Sequence, residues 1–310
     1  MFTLFKNRDF GDYISDTFQF FKINGKHYFK HYFTLTGGLL MVLVVISYFL
    51  FQVYFDFFLK MSTFNSNNSE YLINYMSNNV GLIIGIAFFV FAFFLFLSML
   101  NYAIPVIYLN LYDTQKGPNF GSKDIFKEFK AKLGKITKFF LITAFVITPV
   151  LMVFFMILIL LCFLLIGIPL LLIAIPAVFS WIALSFYEYI NHDKGYFESL
   201  GNGFKSLKRQ FFPIVGATFV MYVIIQITMS VFTMIPYSFG IASVMTHNTN
   251  GSGATPVLNI MLTIVMVISM LMSFILNNLL VINQGLAYYS GREFSENISS
   301  TDSIDLIGSE

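Results

Sequence analysis

Apolar residues in this chain come in long uninterrupted runs, without the short polar alternation of a water-facing fold. A helix that crosses a bilayer needs about 20 apolar residues. The first such run extends from Phe33 to Phe55 and is closed by Asp56; the second extends from Val80 to Leu111. From Phe139 to Tyr187, 49 residues pass without one Asp, Glu, Lys or Arg. A single helix of that length would measure roughly 74 Å at ~1.5 Å per residue, over twice the hydrocarbon thickness, so the run must fold back. Gly167-Ile168-Pro169 is the strong punctuation near its middle and predicts a tight turn between two spans. No such charge lies between Arg209 and Arg292 either, and the polar stretch Thr246–Thr255 divides that run into two more spans. The pattern predicts six transmembrane helices.

Composition agrees with this reading. Of 310 residues, 57% are hydrophobic and 11% charged, against about 25% charged in an average soluble domain. Forty Phe and 15 Met exceed what a water-exposed surface tolerates. The net charge of +2 gives no reason to expect nucleic acid, but the placement of cations is informative. Lys60 apart, every Lys and Arg falls in the N-terminal segment, the loops after spans two and four, or the tail. The positive-inside rule therefore places both termini in the cytoplasm. The 15 Lys against 3 Arg fit an AT-rich coding bias and a bacterial inner membrane. The first 30 residues mix charge with aromatics and do not read as a signal peptide. Cys162 is the one cysteine, so no intrachain disulfide is expected.

The basic segments are also patterned. Phe126, Phe129, Leu133, Ile136 and Phe140 form one stripe of an α-helix. Phe197, Leu200, Phe204, Leu207 and Phe211 repeat the spacing, and Phe18, Phe21, Gly25, Tyr28 and Tyr32 follow it before span one. Lys30, Lys138 and Arg209 occupy equivalent positions. At the ends of the even-numbered spans, Asn110 precedes Lys116-Gly117, Glu188 precedes Lys194-Gly195, and Gln284 precedes Ser290-Gly291 by the same offset. The expected fold is thus all-α and integral to the membrane, with an amphipathic surface helix plus a transmembrane hairpin present three times, at residues 10–117, 118–195 and 196–291. One membrane domain would cover residues 1–298, and the polar, acidic stretch 299–310 reads as a disordered cytoplasmic tail. Each surface helix should lie on the leaflet with its aromatics towards lipid and its lysines towards water. Ser122 is the expected N-cap of the second.

This pattern, with SLGNGFKSLKRQFFPIVGATF (199–219) leading into a span, resembles the six-span bacterial YciC-like proteins and the membrane domain attached to some glycerophosphodiester phosphodiesterases. The resemblance is architectural and covers roughly residues 10–291. It implies an inner-membrane protein. It carries over no catalytic residue, because the phosphodiesterase activity of that group belongs to a separate soluble domain.

Candidate chemistry is sparse. There is no Gly-x-Ser-x-Gly, His-Glu-x-x-His or P-loop motif, and no enzyme activity or cofactor is expected. His27 and His31 have a spacing that can hold zinc, but no Cys or carboxylate obviously completes a set, so they read as interfacial aromatics with a polar edge. No span carries an ionisable residue at mid-depth, which argues against proton coupling. The candidate functional residues are of two kinds. Lys22, Lys26, Lys30, Lys127, Lys130, Lys135, Lys138, Lys205, Lys208 and Arg209 would face the anionic leaflet or a partner. Asn110, Glu188 and Gln284, with Asn277 and Asn278, would either hold helices together or line a polar cavity. The expected function is a non-catalytic accessory or scaffold subunit of a membrane-protein or translocation complex, with membrane lipids and other membrane proteins as partners. A lipid or small-molecule carrier is the other reading, and it requires a cavity between the repeats.

Overall fold

The computed structural model describes residues 2–62, 77–247 and 254–296; the tail 299–310 and most of the Thr246–Thr255 stretch lie outside them. Among the described residues the chain is helical, without a strand. The helices are α1 (Phe10–Ser62), α2 (Val80–Thr114), α3 (Ser122–Ile142), α4 (Thr148–Leu161), α5 (Gly167–Asn191), α6 (Tyr196–Arg209), α7 (Phe211–His247) and α8 (Ala254–Glu296). Six helical stretches are long and apolar enough to cross a membrane: Phe10–Phe55, Val80–Thr114, Ser122–Leu164, Gly167–Asn191, Phe211–Met234 and Asn259–Glu296.

The aromatic-basic stripes enter their spans in two different ways. In α1 the stripe and the span form one 53-residue helix, roughly 80 Å long at ~1.5 Å per residue. No proline lies within it, and Gly25, Gly37 and Gly38 weaken a helix without ending it. The second stripe, α3, continues through a π-helical turn at Thr143–Ile147 into α4. Pro149 lacks an N–H, and the wider turn just before it absorbs the mismatch: the Thr143 carbonyl accepts from both the Thr148 backbone and, at 3.0 Å, the Thr148 hydroxyl. Only the third stripe, α6, is a separate helix. Gln210 leaves the helical region (φ −126°, ψ 46°), and Pro213 then sits in the first turn of α7, where its missing N–H costs no intrahelical bond. A surface helix separate from its span was expected three times. The position of the prolines explains why it occurs once.

The turn between α4 and α5 lies slightly ahead of Gly167-Ile168-Pro169. A short 3₁₀ segment, Cys162–Leu164, leads to Leu165 in the left-handed region (φ 61°), whose N–H donates to the Cys162 carbonyl at 2.9 Å. Gly167 and Pro169 belong to the first turn of α5. A side chain at Gly167 would collide with the backbone of Leu158, Leu161 and Cys162, so only glycine permits this close return. Ser122 is likewise not the N-cap of α3. Gly121 is the N-cap, and the Asp124 carboxylate accepts its N–H at 2.8 Å.

The chain divides into two compact units. One comprises Met1–Leu35, Met99–Ile224 and Asn277–Glu310. Its core is aromatic: Tyr13, Phe20, Tyr28, Tyr108 and Tyr187 have no exposed surface. The other comprises Thr36–Ser98 and Ile225–Leu276. In it the Ser47 hydroxyl points to the Met270 sulfur at 3.0 Å, and an apolar cleft of about 380 Å³ opens between Val44–Phe49 and Ile264–Ile268.

Candidate functional site

The polar contacts of the first unit begin with the segment before α1. Phe2 and Leu4 are buried. The fully enclosed Arg8 side chain pairs with Asp16 at 2.9 Å and donates to the Leu4 and Thr3 carbonyls at 2.7 and 2.8 Å. Burial pushes the Arg8 guanidinium below its ordinary range, and Asp16 opposes that shift. The Arg8 N–H reaches the Ser290 hydroxyl of α8 at 3.1 Å, and the Phe2 N–H reaches Tyr112 of α2 at 3.0 Å. Residues 2–9 therefore form a clasp across three helices. Nothing in the sequence announces it, because its contacts are up to 282 residues apart.

Two buried networks join the helices. In the first, Tyr28 of α1 donates to Asn278 of α8 at 2.5 Å, Asn278 donates to Asn101 of α2 at 3.4 Å, and Tyr32 donates to Asn101 at 2.8 Å. In the second, Asn283 donates to the Tyr13 carbonyl and the Thr17 hydroxyl, both at 3.0 Å, and Gln284 donates to Thr218 of α7 at 2.7 Å, which pairs with Ser180 of α5 at 2.9 Å. Buried amides in an apolar surround need such partners. His27 hydrogen-bonds with Tyr108 (2.9 Å) and the Phe120 carbonyl (3.0 Å), and His31 with Ser122 (2.6 Å) and His27 (3.2 Å). The pair thus ties α1 to α2 and to the start of α3. Among the described residues, no three His, Cys, Asp or Glu converge as metal ligands would.

The residues considered for a polar cavity divide into groups. Asn110 donates to Asn191 at 2.9 Å, while Glu188 belongs to a second group, in which His192 lies 3.6 Å from Glu188 and 3.1 Å from the Tyr288 hydroxyl. Glu188 also accepts from Lys194 at 2.7 Å and Asn202 at 3.2 Å, and its carboxylate holds Lys194 above the usual lysine range. Gln284 and Asn278 belong to the buried networks above. Asn277 lines a cavity of about 250 Å³ with Tyr102, Thr218 and Tyr222. Among the described residues, the Gln284 side-chain oxygen and the Asn191 side-chain nitrogen are buried without a hydrogen-bond partner.

The cations behave differently. In α3, Ile125, Phe129, Ile136 and Phe139 are buried, with Phe139 against Phe186, Tyr189 and Tyr196 at ring distances of 4.9–5.5 Å. Lys123, Lys127, Lys130 and Lys138 lie on the opposite, exposed side. The spacing of these lysines keeps them in one row. Lys135 stands at the edge, bound to Asp193 at 2.5 Å, and this contact lowers the Asp193 carboxyl from its usual range. Lys22, Lys26 and Lys30 on α1 and Lys205, Lys208 and Arg209 on α6 are exposed as well. The stripes were expected to turn their aromatics towards lipid. Instead each stripe is split: Phe129, Leu200, Leu207, Tyr28 and Tyr32 are buried in protein, while Phe18, Phe126, Phe197 and Phe204 remain exposed.

Comparison of the chain with models of protein families, with characterised proteins and with solved structures finds no match. The helical architecture, with six stretches fit to cross a membrane, defines its class as far as structure does.

Proposed function

We propose that this protein is a non-catalytic, multi-pass subunit of a larger assembly in a bacterial inner membrane, with both termini in the cytoplasm and a threefold repeat behind its architecture. The observation that carries the reading is the lysine row of α3. Its helix is fixed to the core through Ile125, Phe129, Ile136 and Phe139, so the row is presented rigidly and outward. A helix meant only to float on lipid would keep its apolar face for lipid. Here Ile125, Phe129, Ile136 and Phe139 of that face are used internally, and the cations are left for an acidic partner. Preorganisation of this kind lowers the cost of docking.

The test is purification in mild detergent at native expression. Stoichiometric partners should accompany the wild-type chain, and replacing Lys127 and Lys130 by Glu should remove them while leaving the protein's own yield unchanged. Recovery of the wild-type chain without partners, or retention of all partners by the doubly substituted chain, would count against the scaffold. A carrier is the second reading. It draws on the cavity beside Asn277 and would be favoured by transfer of a lipid or solute between vesicles.

A further inference from the structure

Two cavities adjoin between α5 and α7. One, of about 270 Å³, is walled by Leu172 and Ile173 on α5 and by Phe211, Phe212 and Val215 on α7. The other is the 250 Å³ cavity beside Asn277, which reaches α2 and α8. Leu172 and Phe219 border both, so the two form one groove. Together they fall within the ~300–1,000 Å³ typical of ligand sites.

The chemistry of the walls restricts what can occupy it. The most deeply buried polar group along the inner part, Thr218, is already engaged. Thr218 donates to the Ile214 carbonyl at 2.7 Å and meets Ser180 and Gln284. Most of the remaining lining is aliphatic and aromatic, a poor site for a polar solute or for water, which needs two to four partners. Leu172, Ile173 and Phe212 are exposed, so the groove opens along its side to the surroundings of the helices. At its Phe211–Phe212 end the chain has just passed Lys208 and Arg209, the last residues of α6. Both are exposed and have no ion-pair or hydrogen-bond partner among the described residues; the Arg209 guanidinium is steadied 5.6 Å above the Phe294 ring. An apolar trough whose Phe211–Phe212 wall follows two exposed cations directly in the chain matches a molecule with an apolar tail and an anionic head.

We propose that this groove binds one anionic glycerophospholipid, with an acyl chain between α5 and α7 and its phosphate at Lys208 and Arg209. The proposal rests on the membrane-embedded reading of the chain, and not on its having a protein partner. The test uses the full-length protein, purified in detergent and titrated with phosphatidylglycerol or phosphatidylcholine, with bound lipids counted by native mass spectrometry. The first phosphatidylglycerol should bind about tenfold tighter than the first phosphatidylcholine, as expected for two cations acting on one headgroup. The Lys208→Ala/Arg209→Ala protein should lose that preference, whereas Lys123→Ala/Lys127→Ala should keep it. Ile173→Trp, which places a ring in the groove, should weaken the first lipid of either kind. Thermal unfolding without added lipid shows whether each variant is folded, and the exposed alanine pairs should match the wild type. Equal affinity of the wild type for the two lipids overturns the proposal, as does a preference that survives loss of Lys208 and Arg209. Loss of a protein partner in the purification experiment would leave this result untouched.

Discussion

Arg8 shows most directly how single residues fix this structure. It is enclosed, charged, and held by one carboxylate and two backbone carbonyls. Removing one member of a buried ion pair leaves the other charge stranded, at a cost of about 3–5 kcal/mol. Lys6 also reaches Asp16, at 3.3 Å, which offsets part of that cost. Arg8→Ala should therefore destabilise the protein by about 3 kcal/mol. A thermal melt in detergent would read the loss, and proteolysis at the freed segment should precede global unfolding. Lys6→Ala should have a far smaller effect, because its side chain is 43% exposed and surface pairs contribute only about 0–1 kcal/mol. If the two variants melt alike, the clasp is not held by Arg8.

At the level of helices, glycines of opposite consequence separate close packing from mere flexibility. Gly203 of α6 abuts Ser185 of α5 so closely that a side chain there would strike both the Ser185 hydroxyl and its backbone. Gly134 of α3 has nothing within reach. Gly203→Ala should cost about 1–3 kcal/mol by overpacking, while Gly134→Ala should stabilise by about 0.5–1 kcal/mol through helix propensity alone. Opposite shifts in the unfolding midpoint would bear out both assignments. The sequence made the helices legible because a bilayer span needs a long apolar run, and Phe33–Phe55 or Val80–Leu111 can be little else. It made their junctions less legible. Gly167-Ile168-Pro169 reads as a turn, yet proline is at home in the first turn of a helix, and these residues open α5 instead. The three Lys/Ser–Gly pairs share an offset but not a conformation: Lys116-Gly117 leaves α2 with positive φ at both residues, Gly195 caps α6, and Ser290-Gly291 stays inside α8. The lysine row could be seen in the sequence, but not the side on which α3 would be buried, since Phe126 and Phe129 fit a stripe equally well.

For the whole molecule, what decides between a membrane subunit and any other helical protein is which residues meet lipid. Large apolar side chains are exposed along Leu82–Phe91, Phe145–Leu172 and Ile227–Met234, an outer surface that water would not tolerate. The lysines, in contrast, cluster before or after these stretches. If the chain crosses the membrane six times with its cationic segments inside, single cysteines will report it once Cys162 is changed to Ser. Lys127→Cys, on the exposed row of α3, should react with a membrane-impermeant maleimide only after the membrane is opened. Asn78→Cys, exposed just before α2, should react in intact cells. A third cysteine at Phe163, the most exposed large side chain in the turn between α4 and α5, should fall on the same side as Asn78. That third position carries the most weight, because α4 and α5 are joined by so short a turn that a cytoplasmic Phe163 would mean this hairpin enters the bilayer without crossing it, and the span count would drop from six to four.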